Sequence, residues 1–176
     1  MPRNGTPMIE PHEPNAGKLL RGALAGAVAG VAASFAMDAF QAAVTALSPS
    51  NDDDEPAEPA TEKAADGIAK TVTGNELAAG DKPLAGQSIH YALGIGLGIA
   101  YGIAAEFQPK VTAGLGTAFG LTTATLLDEA AVPAVGLGQA PWKAGLTSNL
   151  YAYASHLVFG SATELVRRQV AGSLRN

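Results

Sequence analysis

The chain contains no cysteine, which removes disulfides, thiolate metal sites and cysteine nucleophiles from consideration. It also lacks basic surplus: the formal net charge is −5 and the isoelectric point is near 5.1. A surface of that sign offers little to a phosphate backbone, so nucleic acid is not an expected partner. Strict period-two alternation is missing, so no stretch reads as a half-buried strand. Catalytic signatures are missing too. There is no H-E-x-x-H for zinc, no paired Glu-x-x-His for a di-iron bundle, and no G-x-S-x-G. Ser155 cannot face its neighbour His156 across a helix to form a dyad. No enzyme activity, metal or cofactor is expected.

What remains is a set of apolar blocks around one polar insert. Nine of the 16 acidic residues fall between residues 52 and 81. Four apolar spans, at about 22–47, 86–107, 112–132 and 144–166, each have roughly the 20 residues a helix needs to cross a bilayer core. None has an internal proline, and breakers separate them: "SPSNDDDEPAEP", "QPK" and "VPAVGLGQAPWK". The spans are rich in Ala and Gly rather than Leu, so any one of them also fits a buried helix of a soluble protein. Four in succession, each ending near charges, predict an all-α integral membrane protein, a bundle of four transmembrane helices.

The domain plan follows. Residues 1–17, with four prolines and a solvated His12, form a flexible tail. Residues 18–170 form the membrane domain, and 171–176 a C-terminal tail. The first span is longer than the roughly 7 to 15 apolar residues of a cleaved signal peptide and reads as a retained anchor. With the N-terminus inside, the inner side carries Arg3, Lys18, Arg21, Lys110, Arg167, Arg168 and Arg175. The outer side carries Lys63, Lys70, Lys82 and Lys143. That asymmetry puts both termini in the cytoplasm and residues 48–85, an acidic loop, outside. Within the loop Ala64, Ala65, Ile68 and Val72 recur at helical spacing behind Thr61 as N-cap, predicting a short amphipathic helix on the outer interface. The run "NDDDEPAEP" is too polar to order itself.

Glycines recur in the spans with two competing meanings. "GIGLGIAYG" and "GLGTAFG" resemble phosphate loops, but a phosphate loop needs a strand before it and a helix N-terminus aimed at the anion. Neither condition is met, so nucleotide is not an expected ligand. Gly22, Gly26 and Gly30 in span one, Gly94, Gly98 and Gly102 in span two, and Gly116 and Gly120 in span three recur every four residues. Residues four apart share a helical face, so these glycines form flat surfaces where helix backbones approach closely.

Polar residues line the spans as stripes: Ser34, Asp38, Gln41 and Thr45 on span one; His90 and Tyr101 on span two; Thr122, Thr125, Asp128 and Glu129 on span three; Asn149, Tyr153, His156 and, slightly off line, Glu164 on span four. A carboxylate at mid-bilayer costs at least about 2.5 kcal/mol on insertion scales, so these groups should face the bundle interior. Glu106 and Glu164 lie near the inner ends with Lys110 and with Arg167 and Arg168 one turn on, an arrangement suited to interfacial ion pairs. Asp38, His90, Asp128, Glu129, Tyr153 and His156 cluster toward the outer half. They form a candidate proton- or cation-handling set, or alternatively hydrogen-bonded glue between helices.

Two stretches carry a family resemblance. "HYALGIGLGIAYGIAAEFQPKV" (90–111) is similar to the H…Y…E-x-x-P-K segment of the YagU-like bacterial inner-membrane proteins. "SHLVFGSATELVRR" (155–168) is similar to their closing H-L-V…E-x-x-R-R segment. "VPAVGLGQAPW" resembles their proline–tryptophan loop. The matching positions are His90, Tyr101, Glu106, Pro109, Lys110, Pro133, Trp142, His156, Glu164, Arg167 and Arg168. The likeness departs at Asp128, at Ser155 and through 49–85. It implies a multi-pass protein of the bacterial inner (plasma) membrane, of unknown function and loosely associated with acid tolerance. The function expected on all these grounds is a non-enzymatic envelope protein supporting homeostasis under acid stress through its His/carboxylate interior. The alternative is a structural or assembly subunit that packs through its glycine faces. The lipid bilayer is the expected partner in both cases, with a homo-oligomer or other membrane proteins beside it.

Overall fold

A computed structural model of the chain describes residues 15–48 and 58–175. The tail up to residue 14 with its His12, and the acidic run 49–57, lie outside the described residues. The fold is all-helical, with no strand among the described residues. Helix α1 is Asn15–Leu47, α2 is Ala60–Thr73 and α3 is Lys82–Phe107. A 3₁₀ segment Pro109–Gly116 leads into α4 (Thr117–Thr123), which widens into a π-helix Ala124–Ala131 and ends in the short α5 (Val132–Ala134). Helix α6, Leu146–Ser173, closes the bundle. Helices α1 and α3 are long and apolar enough to cross a membrane.

Close approach of backbones organises the bundle. Helix α1 runs antiparallel to α3, with Gly22, Gly26 and Gly30 set directly against Gly102, Gly98 and Gly94. A methyl added at Gly22 would lie 2.7 Å from the Gly102 carbonyl oxygen, and at Gly26 and Gly30 closer still to their partners. The four-residue spacing thus places one flat face on each helix, and the two faces meet. A second such contact joins Gly116 and Gly120 to α6, at Gly160 and the His156 carbonyl. Gly160 is a packing residue that its spacing from His156 offered but that sequence reasoning did not use.

The structure here corrects two expectations. The continuous third helix over 112–132 is absent. Gly114 (φ 69°), Leu115 (φ 55°) and Gly116 (φ 84°) adopt left-handed backbone in succession and break it, leaving the segment 109–134 as short helical pieces. Thr61 does not cap α2; Pro59 occupies that position with no side-chain cap bond. The expected short helix in the acidic loop is present as α2, with Ala65 buried and Ile68 and Val72 exposed. It docks on the start of α3, where Gly86 receives Glu62, and ion pairs Lys82–Glu58 (3.0 Å) and Lys70–Glu76 (2.7 Å) tie the region together.

Candidate proton and cation site

The inward polar groups fall into two tiers. The lower lies where α1 begins and α3 and α6 end. Glu106 accepts from Arg21 of α1, at 3.1 Å from Nε, and pairs with Arg175 at 3.2 Å. Lys110, its expected partner, is exposed and forms no ion pair with it. The reason is local: α3 ends at Phe107 and Gln108 leaves helical geometry (φ −134°, ψ 79°), so i+4 no longer lies one turn on. One level further in, Glu164 is fully buried. Its Oε2 accepts from Tyr101 Oη at 2.9 Å and from Arg167 Nε at 2.7 Å, and its Oε1 from Arg167 Nη2 at 2.9 Å and from Arg168 Nε. A carboxylate surrounded by that many donors is fixed in place.

The upper tier consists of two histidine–carboxylate couples. His90 Nε2 lies 3.3 Å from Asp38 Oδ1, while Gln87 donates to Asp38 Oδ2 at 2.7 Å. His156 Nδ1 lies 3.3 Å from Asp128 Oδ2 and 3.1 Å from the Ala152 carbonyl. The π-helix positions Asp128. Its wider turn puts residues five apart on one face, and Thr123 and Asp128 line one wall together. For that reason Thr125, Asp128 and Glu129, grouped by α-helical spacing, separate. The Thr125 hydroxyl instead meets that of Tyr153 at 3.1 Å, and Glu129 stands outside the cluster.

His90, Asp128 and His156 face a common cavity of about 290 Å³, walled by α1, α3, the π-helix and α6 and covered by residues 59–61 of α2. Below it lies an apolar layer of Ala33, Met37 and Phe159 with Leu97 and Phe119 packed on it. Phe119 stacks on Tyr101 at 4.3 Å between ring centroids. The layer separates the histidine tier from the arginine tier. Such an arrangement can exchange protons or hold a cation above the layer while the charges below stay fixed.

Neither a curated protein nor a solved structure matches the chain. The family model described as a protein of unknown function (DUF1440) matches residues 31–165, more than half of the sequence, and the chain belongs to that family.

Proposed function

We propose that the chain is an integral membrane protein with four membrane-crossing segments and both termini cytoplasmic, whose upper cavity takes up and releases protons. One observation carries the reading: the burial pattern is inverted relative to a water-soluble bundle. The largest fully buried side chains are Glu164, Thr163, Ser34 and Ser155, whereas Leu24, Val28, Phe35, Leu93, Leu150 and Leu165 are exposed. In water such a bundle gives up most of the hydrophobic stabilisation that burying large side chains supplies. In hydrocarbon the outward leucines cost nothing, small residues let helices touch, and inward polar groups avoid lipid. The broken segment 109–134 is compatible with membrane depth because irregular backbone is tolerated where protein covers it, and Gly116 and Gly120 lie against α6.

The positive-inside rule puts the arginine tier at the cytoplasmic face and the histidine tier in the outer half. The apolar layer closes the cavity on the arginine side, which makes it a proton-binding site rather than a conduit. The likeness to the YagU-like proteins supports a place in the bacterial plasma membrane and a contribution to envelope homeostasis in acid.

The test is proton uptake by the chain in nanodiscs, followed with a pH-indicator dye after an acid step. Uptake per chain should drop when His90→Gln and His156→Gln are combined. Uptake unchanged by that pair of substitutions would overturn the proton-binding reading.

A further inference from the structure

We infer that the same cavity binds a small organic ammonium ion with an apolar body, in exchange for the proton on His156. This rests on the proton-binding reading and names what else that site takes. A proton needs no room, yet the cavity measures about 290 Å³, close to the lower size of small-molecule sites. Its wall is mixed in the manner of such sites, with Met37, Leu93, Leu97 and Phe159 beside a few converging polar groups. No lysine or arginine is among the described residues that line it, so the fixed charge there is the Asp128 carboxylate. The pairing of that carboxylate is loose. His156 Nδ1 stands at 3.3 Å and shares itself with the Ala152 carbonyl, against about 2.7–2.9 Å for a tight charge-assisted bond.

Two further features favour an organic cation over a metal ion. No group of three or more histidines and carboxylates is arranged for a metal among the described residues. Phe159 on the cavity wall supplies an aromatic neighbour for an alkylammonium.

The exchange balances. An imidazolium–carboxylate couple plus an ammonium ion gives an ammonium–carboxylate couple, a neutral imidazole and one proton, which leaves on the α2 side. The groups facing His156 are Asp128 from the π-helix, His90 across the cavity from α3 with Asp38 of α1 behind it, and Gln41 of α1. The α2 residues at the cover, 59–61, bring no charge.

The experiment is calorimetric titration of the full chain in phosphatidylcholine nanodiscs with n-butylammonium, n-pentanol and butyrate. Saturable one-to-one binding is expected for n-butylammonium, at least about tenfold tighter than for the alcohol or the acid. Heats should vary with the buffer because a proton is released. Asp128→Asn should weaken binding at least about tenfold. His156→Gln should still bind the ammonium but release no proton, so a misfolded Asp128 variant leaves the test intact. Equal binding of alcohol and ammonium, or buffer-independent heats, would overturn the exchange. Proton uptake by the same samples keeps the two ideas apart: histidine-dependent uptake with no ammonium binding sinks only this inference, while uptake unchanged by His90→Gln with His156→Gln sinks the proton reading.

Discussion

The two ends of the bundle solve the same problem, a carboxylate among helices, with different bases. Below the apolar layer Glu106 and Glu164 meet arginine; above it Asp38 and Asp128 meet histidine. Guanidinium stays charged at any physiological pH and presents a fork that matches a carboxylate, so the lower tier is a permanent clamp. Imidazole changes charge near neutrality, so the upper tier can switch. Burial of the carboxylates follows the same division. The Glu164 side chain is 0 % exposed and that of Asp128 37 %, since one is enclosed between helices and the other lines a cavity.

That contrast breaks most visibly at Glu164. Glu164→Ala leaves Arg167 buried without its partner and should cost about 3–5 kcal/mol of stability. Asp128→Asn should cost about 1 kcal/mol. Thermal unfolding of both variants in the same detergent gives the comparison, and equal losses would erase the distinction. The glycine faces supply the next effect. Gly98→Val drives a side chain into the Gly26 carbonyl and should cost about 3 kcal/mol. Gly96→Ala, with nothing within 4 Å, should gain up to about 1 kcal/mol from helix propensity. The smallest test compares two hydroxyls. Tyr101→Phe removes a buried bond to Glu164 and should cost about 1 kcal/mol, whereas Tyr153→Phe in the exposed pair with Thr125 should cost under about 0.5 kcal/mol.

The parts legible in the sequence were those set by local periodicity. Glycine every four residues marked the α1–α3 contact because a helix repeats its face at that spacing, and the Arg167–Glu164 pair sits within one turn. What failed depended on where helices end or on distant chain segments. Glu106 was assigned to Lys110 because i+4 neighbours are adjacent only while the helix continues, and α3 stops at Phe107. Its actual partners, Arg21 and Arg175, lie 85 and 69 residues away, beyond any local pattern. The break at 114–116 was hidden because Gly114 and Gly116 fit both a packing face and a left-handed turn, and Leu115 at φ 55° has no side-chain signature for such a backbone. The π-helix was equally silent, and with it the alignment of Thr123 and Asp128.

The inversion of inside and outside can be measured directly, because a chain without cysteine accepts single spin labels cleanly. Leu24→Cys, Val28→Cys, Val31→Cys and Phe35→Cys would place labels along the exposed stripe of α1, to be read by power-saturation electron paramagnetic resonance in liposomes. Collision with oxygen, which partitions into hydrocarbon, should exceed collision with a water-soluble nickel chelate at all four positions, most of all at Val28 and Val31. Ready access of the nickel reagent along the whole stripe would mean that these side chains face water, and the membrane-embedded reading would fall.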